Sequence, residues 1–152
     1  MTARRAQPAR PSPSVSIRLL GNPSGLEQVF LTYEAFARAH ALPDDVRRDM
    51  YVALEEIVSN VVRHGRRRPL PRISLTLTVS RGRFHVDVID DGAAFDPFSV
   101  PEPDVSQPLL DRPIGGLGVL FVGRLTDRHT YRRVRRRNHV QLTRRLTART
   151  QN

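Results

Sequence analysis

The sequence predicts an α+β two-layer sandwich, with a mixed, mainly antiparallel sheet covered on one face by helices. Three observations favour this class. Apolar and polar residues alternate in short segments that come in adjacent pairs, as in hairpins. Apolar residues with helical spacing fill two longer segments, 25–40 and 44–64. The regular alternation of strands and helices of a doubly wound nucleotide fold is missing, as is a G-x-x-x-x-G-K-[ST] phosphate loop.

The N-terminal part begins with a segment, 1–14, that is rich in Pro, Arg and Ser and has no periodicity. This composition predicts a disordered tail. Residues 15–20 alternate between apolar and polar side chains and predict a strand. Residues 21–24 predict a turn, and Ser24 is expected to cap the helix at 25–40.

The second helix carries the pattern on which the functional prediction depends. It is expected to start at Asp44 or Asp45 and to end near His64. At about 100° per residue, one apolar stripe is formed by Met50, Leu54, Ile57, Val58 and Val61. Glu56, Asn60 and His64 follow at i, i+4 and i+8 along the edge of that stripe. An acid, an amide and an imidazole in one row are unusual if the helix needs only solubility.

Two strands and a long loop follow the helices. Residues 72–80 and 83–90 alternate around a short turn and predict a hairpin, whose second strand ends at Asp90. Residues 93–113 contain five prolines among 21 residues and show no clear period. A loop of this length is usually functional or disordered, and we predict that 93–114 closes over a ligand as a lid.

The C-terminal part contains a short helix and a second hairpin. A glycine-rich segment, 115–118, precedes a helix predicted at 119–125. Strands are predicted at 130–134 and 139–146, with a turn near 136–138.

The length and composition indicate one domain. At 152 residues the chain can bury a real core, and we place the domain at 15–147, followed by a frayed end at 148–152. The absence of cysteine excludes disulfides and cysteine-ligated metals and fits a reducing cytosol. No apolar run approaches the roughly 18 residues of a membrane span, and the N-terminus lacks the apolar region of a secretory signal. We therefore expect a cytoplasmic protein without a membrane partner.

The charge is strongly positive and comes from arginine alone. The formal net charge is +10, and all 25 basic residues are arginines, which indicates the codon bias of a GC-rich, bacterial genome. The arginines concentrate in 4–10, 63–72 and 124–145. A solvated surface, an acidic protein partner, RNA and phosphate are all compatible with this pattern. Nucleic acid is disfavoured, because no aromatic platform accompanies the arginines.

Two glycine-containing segments suit a nucleotide. Asp90 ends a strand and can accept a hydrogen bond from an exocyclic amine such as that of adenine. Gly92 permits a close approach of the ligand to the backbone, although Asp-Gly is also a common turn. Gly115, Gly116 and Gly118 expose backbone N–H groups before a helix, where anions are favoured, although a glycine cluster alone is weak evidence.

The polar row of the second helix suits the phosphate end of such a ligand. Asn60 can offer a carbonyl oxygen to Mg²⁺. Glu56, one turn earlier, can take a proton from an attacking hydroxyl or water. Taken separately, Glu56 and Asn60 are each more typical of a helix surface than of a catalytic site, and His64 is expected to be structural. The row is not predicted to be a metal site of three protein ligands, because its ligand types are mixed.

Three ordered motifs resemble those of the GHKL-type ATPases. They are E-x-x-x-N-x-x-x-H on a helix, D-x-G after a hairpin strand, and G-G-L-G before a helix. The D-D-G-x-x-F-D-P form, the short chain and the ending N-H-V-Q-L-T-R-R-L are most similar to the anti-sigma serine/threonine kinase branch of that superfamily. The resemblance covers roughly residues 15–146 and implies a Bergerat-type ATP-binding fold.

The resemblance implies a role for each candidate residue. Glu56 would be the catalytic base, Asn60 would coordinate Mg²⁺, and Asp90 would bind the adenine amine. Gly92 would shape the base pocket. The phosphates of ATP would be bound by the glycine-rich segment: Gly115, Gly116, Leu117 and Gly118. The family phosphorylates a serine of an antagonist protein and holds a sigma factor inactive, and a homodimer is expected.

Alternatives to this interpretation stay open. Ala94 stands where the wider superfamily has the second glycine of D-x-G-x-G, although the anti-sigma branch often lacks it too. A non-catalytic module that binds ATP or nothing, and works only by holding a partner protein, fits the arginine-rich C-terminal hairpin equally well. The sequence does not decide whether Arg112 contacts phosphate or a partner.

Overall fold

The computed structural model describes residues 12–64, 69–99 and 117–147. Within those ranges the elements, in chain order, are β1 (Ser14–Leu20), α1 (Pro23–Ala39), α2 (Asp44–His64), β2 (Arg72–Ser80), β3 (Arg83–Asp90), α3 (Leu117–Leu125), β4 (Arg128–Val134) and β5 (Arg137–Arg145). One turn of 3-10 helix, Pro97–Ser99, lies between β3 and α3. No helix in these ranges is both long and apolar enough to cross a membrane.

The five strands form one sheet in the order β1-β2-β3-β5-β4. Its inner face shares a single apolar core with the helices, so the predicted α+β two-layer sandwich is confirmed. Every strand pairing within the described ranges is antiparallel, so the sheet is not mixed there. Because β5 lies between β3 and β4, the last strand of the chain runs beside the strand that ends in Asp90.

Side chains of α1 and α2 cover the inner face of the sheet. Along β3, Phe84, Val86 and Val88 are buried, and the residues between them are only partly buried. The predicted apolar stripe of α2 is confirmed: Met50, Leu54, Ile57 and Val58 are buried, and Val61 packs against the core. Burying one such side chain contributes about 1.5–3 kcal/mol. The stripe therefore fixes the rotation of α2, which decides where Glu56 and Asn60 lie.

The N-terminus of α1 differs from the prediction. Asn22, not Ser24, is the N-cap, and its Oδ1 accepts a hydrogen bond from the backbone N–H of Gly25 at 2.8 Å. Serine and asparagine can both cap a helix. The following proline decides between them, because Pro23 suits the first helical position, where its missing N–H needs no partner.

The C-terminal hairpin also differs from the prediction, which placed its turn near residues 136–138. The turn consists of Arg135 and Arg136, with φ of 47° and 64°. A two-residue turn with two positive φ angles matches the twist of the flanking strands. Asn138 consequently lies inside β5, where it is buried and paired with Asp90. Helix α3 begins two residues earlier than predicted, so Gly118 lies in its first turn.

A buried ion pair fastens β5 to the helices. Arg144 donates from Nη2 to Asp49 Oδ2 at 3.0 Å, and the same nitrogen lies 3.7 Å from Asp45 Oδ2. Its Nη1 donates to the carbonyl of Leu125, at the end of α3, at 3.0 Å. Arg144 is only 2% exposed, so these charge-assisted bonds are shielded from solvent. They connect the start of α2, the end of α3 and the sheet.

Several predictions concern residues outside the described ranges. These are most of the predicted tail, the predicted frayed end, most of the predicted lid, and Gly115 and Gly116. The described beginning of the predicted lid, residues 93–99, packs against the rest of the protein. Pro97 is buried, and the rings of Phe98 and His129 have centroids 4.4 Å apart.

Candidate functional site

A cavity opens between α2 and the neighbouring ends of β3 and β5. It encloses about 360 Å³ of space, part of which is open solvent. Its lining includes apolar side chains from Ile57, Val61 and Val140, and polar side chains from Asn60, Asp90 and Asn138. Apolar walls with a few convergent polar groups are typical of sites for flat, partly polar ligands.

Asp90 lies in the wall of this cavity, as the last residue of β3. Its Oδ1 accepts hydrogen bonds from the backbone N–H of Gly92 and from Asn138 Nδ2, both at 2.9 Å. No described residue donates to Oδ2. Since no buried side-chain oxygen or nitrogen of the described residues lacks a partner, Oδ2 is not fully enclosed, and Asp90 lines the cavity. This oxygen can accept a hydrogen bond from a ligand.

The environment of Asp90 perturbs its acidity in both directions. Burial disfavours the charged form and raises the pKa of the Asp90 carboxyl above its ordinary value. The hydrogen bonds from Asn138 and Gly92, and the nearby charge of Arg133, act in the opposite direction without cancelling the effect of burial. The carboxylate form, which a ligand amine requires, therefore depends on these donors.

Asn138 connects Asp90 to the beginning of the predicted lid. Its Nδ2 donates to Asp90 Oδ1 and to the carbonyl of Ala93, both at 2.9 Å. Its Oδ1 accepts hydrogen bonds from Tyr131 Oη at 2.9 Å and from Arg133 Nη1 at 2.8 Å. Sequence reasoning missed Asn138 because it placed this residue in the turn. The cross-strand register of β3 and β5, which pairs it with Asp90, would have identified it.

Gly92 lies where a side chain would press on Asp90. A Cβ atom added at this position would be 2.9 Å from Asp90 Oδ1 and 3.6 Å from Pro71 Cβ. The carbonyl of Gly92 accepts a hydrogen bond from Arg133 Nη1 at 2.9 Å. The absence of a side chain thus leaves room for the short hydrogen bond that holds the Asp90 carboxylate.

The predicted polar row of α2 borders the cavity. Asn60 is 4% exposed and lines it, and its Nδ2 donates to Glu56 Oε1 at 3.1 Å. Its Oδ1, which is the atom that a cation would use, accepts a hydrogen bond from Arg63 Nη1 at 3.2 Å. The structure therefore brings Glu56 and Asn60 together, and adds Arg63 to them.

The start of α3 lies against the other end of this row. A Cβ atom added to Gly118 would overlap the carboxylate of Glu56, so the two residues are in direct contact. Leu117 begins α3, while Gly115 and Gly116 precede the described residues. The site therefore joins Glu56 of α2 to the N-terminal turn of α3, where the helix dipole favours an anion.

His64 lies at the opposite end of the row, one turn beyond Asn60. Its ring stacks on that of Phe95, with centroids 4.1 Å apart and an interplanar angle of 25°, and both residues line the cavity. The predicted structural role of His64 is compatible with this contact, because the pair closes one side of the cavity.

Comparison with known protein families gives an independent assignment. The sequence profile of the histidine kinase-like ATPase domain matches residues 20–144, which is most of the chain. The protein belongs to this family. Membership in the histidine kinase-like ATPase family confirms the resemblance that the three motifs indicated.

Relatives within the family are named as kinases. The serine-protein kinases RsbW of Bacillus thuringiensis and of Bacillus cereus are each 30% identical to this chain over 88 residues, which is 55% of this chain and 54% of the relative. The matched region thus spans about half the length of these relatives. They support the placement of the chain in the anti-sigma kinase branch.

A solved structure supports the fold. The crystal structure of the RsbU and RsbW domains of a Mycobacterium tuberculosis protein aligns with a TM-score of 0.65 at 17% identity. The alignment covers 91% of this chain and 34% of that one. At this identity the likeness concerns the arrangement of the helices and strands.

Asn60 could offer its amide oxygen to the cation of a magnesium nucleotide, but this oxygen would first have to lose its hydrogen bond from Arg63. Among the described residues, no group of three or more His, Asp or Glu side chains is placed to hold a metal ion. A cation at the amide oxygen of Asn60 would therefore take its other ligands from phosphate and water, as Mg²⁺ commonly does. ATP binding is the property that the family implies for the chain.

Proposed function

We propose that the protein is an ATP-dependent serine/threonine protein kinase that acts as an anti-sigma factor. It phosphorylates a serine of an antagonist protein and sequesters a sigma factor. Family membership and the names of the relatives support this proposal. The observation that carries the nucleotide part is the Asp90 carboxylate, which is buried beside an apolar cavity with one oxygen bound by the protein and the other not fully enclosed.

In the proposal, the adenine end of ATP occupies the cavity. Asp90 Oδ2 accepts a hydrogen bond from the exocyclic amine, and Asn138 keeps the carboxylate in the orientation that this bond requires. Ile57, Val61 and Val140 supply apolar surface for the ring. The proposed binding is selective for an amine. A base with a carbonyl at the same ring position would place one acceptor against another, the Asp90 carboxylate, with no hydrogen-bond donor between them.

The phosphate end lies toward Glu56 and Gly118. Mg²⁺, when bound, would neutralise phosphate charge, and the Asn60 amide oxygen would hold it. In the proposal the backbone of Gly118, in the first turn of α3, would contact the phosphates, and the absence of a Cβ atom leaves room for Glu56 beside it. Gly115, Gly116 and Leu117 complete this segment in the proposal.

Glu56 is the proposed general base. Its carboxylate takes the proton of the serine hydroxyl, and such a residue contributes roughly a factor of 100 to 10,000 to the rate. Glu56 is hydrogen-bonded by Asn60 and touches Gly118, so it lies between the residues proposed for the cation and for the phosphates. Positioning and electrostatics supply the remaining catalysis.

Labelled ATP tests the proposal directly. Wild-type protein is expected to bind Mg-ATP in calorimetry and to transfer label to a serine of a candidate antagonist protein. Glu56→Gln should lose transfer by at least about a hundredfold and keep nucleotide binding. Normal transfer by Glu56→Gln would disprove its assignment, and failure of the wild type to bind Mg-ATP would disprove the kinase function.

A second candidate function is a non-catalytic module that binds ATP or holds a partner protein. One observation favours it: the Asn60 oxygen proposed to hold a cation accepts a hydrogen bond from Arg63. That bond must break before Asn60 can hold the cation. A stable complex with a partner protein, without label transfer under any nucleotide condition, would favour this module over the kinase.

The partner and location predictions are part of the same proposal. A sigma factor and an antagonist are the expected protein partners, in the cytoplasm. A homodimer is also expected, and light scattering of the purified protein would measure it. A monomer at micromolar concentration would contradict that prediction.

A further inference from the structure

A larger depression adjoins the cavity at its His64 end and contains about 1200 Å³ of open space. Its lining includes five arginines, Arg72, Arg133, Arg135, Arg136 and Arg137, and Pro69, Leu70 and Pro71 also line it. We call this depression the arginine groove. His64, Gly92 and Ala93 line both the cavity and the groove, so the two are continuous.

The arginine groove carries a concentrated positive charge. Within the described ranges, none of the ion pairs involves its five arginines. Asp91 is the acidic residue of the lining, and its Oδ1 accepts the backbone N–H of Arg72 at 2.6 Å. Arg133 is held by its hydrogen bonds to the nucleotide cavity, and the side chains of Arg135, Arg136 and Arg137 are exposed.

The turn that presents these arginines is chemically unfavourable for them. Arg135 and Arg136 both have positive φ, which two-residue hairpin turns normally assign to Asn-Gly or Asp-Gly. A side chain with a Cβ atom crowds the backbone there, so arginine at both positions costs stability. The turn at the opposite end of the sheet, Arg81-Gly82, has glycine at its second position. Strain of this kind is typical of functional positions.

We infer that the arginine groove binds an acidic segment of a protein partner. Guanidinium groups pair bidentately with carboxylates. Leu70 in the lining is 39% exposed and offers an apolar contact to the same segment. The inference rests on the proposed function, because it assigns the chemistry of a protein partner.

Two features make nucleic acid a weaker occupant. No Phe, Tyr or Trp side chain lines the groove in the part of the chain that the structure describes, so bases have no stacking platform among those residues. The negative charge of Asp91 would also lie opposite a continuous, negatively charged phosphate backbone. A peptide can instead place an uncharged residue opposite Asp91.

The arginine groove lies away from the phosphate end of the nucleotide site. His64, where the groove begins, is eight residues beyond Glu56 on α2, which corresponds to about 12 Å along the helix. Glu56 is therefore not part of the groove lining.

Fluorescence anisotropy without nucleotide measures this binding. The probe is a fluorescein-labelled peptide of about 12 residues in which two acidic residues alternate with one leucine, at low ionic strength. The double variant Arg135→Asn, Arg136→Gly supplies the preferred turn residues and removes two charges. It should melt about 3–6 °C above wild type and bind the peptide roughly tenfold more weakly.

A matched control separates charge from turn chemistry. Arg81→Asn changes the first residue of the β2–β3 hairpin turn, which also has positive φ, and it removes one charge. It should change peptide affinity less than about twofold. Arg137→Gln, which leaves the turn unchanged, should weaken peptide binding about threefold, and it provides a second test if the double variant folds poorly.

Three results would overturn the inference. The first is a peptide affinity that is unchanged in both the double variant and Arg137→Gln. The second is a loss of peptide affinity in Arg81→Asn as large as that in the double variant. The third is tighter binding of a twelve-nucleotide oligothymidylate than of the peptide, with the same dependence on the turn arginines. Mg-ATP affinity is measured separately. If the wild-type protein did not bind Mg-ATP, the kinase proposal would be refuted, and the peptide-binding result would be unaffected.

Discussion

Replacing Asn138 by alanine removes the amide that holds the Asp90 carboxylate. The variant loses two charge-assisted hydrogen bonds, to Asp90 at 2.9 Å and from Arg133 at 2.8 Å. It also loses neutral bonds to Ala93 and from Tyr131, both at 2.9 Å, and a long one from the Phe95 N–H at 3.4 Å. A bond to a charged group contributes about 1.5–3 kcal/mol and a neutral one about 0.5–1.5 kcal/mol. Because water from the adjoining cavity can replace some of these hydrogen bonds, we expect the free energy of unfolding to fall by about 2–4 kcal/mol.

The same change should weaken nucleotide binding. Without Asn138, the carboxylate keeps Gly92 as a donor but loses a bond that favours its charged form, so the pKa of Asp90 rises further. Mg-ATP affinity should fall at least about tenfold, equivalent to about 1.4 kcal/mol. Urea unfolding gives the stability, and isothermal titration calorimetry gives the affinity.

The chain offers a matched control on the same two strands. Gln141 Nε2 donates to Asp87 Oδ1 at 2.8 Å, which is also an amide–carboxylate pair across β3 and β5, but on the solvent side of the sheet. Gln141→Ala should cost less than about 1 kcal/mol and leave ATP affinity unchanged. If Asn138→Ala bound Mg-ATP like wild type, or lost no more stability than Gln141→Ala, the role assigned to Asn138 would be wrong.

Three further predictions concern other parts of the site and the core. Gly118→Ala should displace the flexible Glu56 carboxylate, keep the fold and reduce phosphotransfer about a hundredfold in single-turnover assays; normal transfer would exclude the close contact. Arg144→Ala should cost about 3–5 kcal/mol in urea unfolding, because Asp49 Oδ2 and the carbonyl of Leu125 lose their buried donor and Asp49 keeps only its pair with the exposed Arg48. Arg38→Ala, at an exposed pair, should cost less than about 1 kcal/mol. Because the pKa of Asp90 is raised, its carboxylate becomes protonated and stops being an acceptor at a higher pH than an ordinary aspartate would. Mg-ATP affinity should therefore begin to fall in mildly acidic solution. A calorimetric profile that is flat through mildly acidic pH would contradict this. The linked effect on folding has the opposite sign, since a raised folded-state pKa contributes stability at low pH that is lost as the pH rises through it.

Local periodicity was sufficient for most of the secondary structure. The 3.6-residue spacing on α2 and the two-residue alternation on β2 and β3 reflect which side chains must face one core, and that requirement is visible in neighbouring residues. The errors occurred where two local preferences compete. Asn22 and Ser24 can both cap a helix, and Arg135-Arg136 lacks the residues by which a tight turn is usually recognised.

For the site itself, the sequence alone determined the polar row of α2 and the acidic end of β3, and the order of the motifs indicated the family. The tertiary structure alone decided that Asn138 holds Asp90, that Glu56 touches Gly118, and that the turn arginines adjoin the cavity. These contacts join residues far apart in the chain. They depend on the insertion of β5 between β3 and β4 and on its register, which no local pattern specifies.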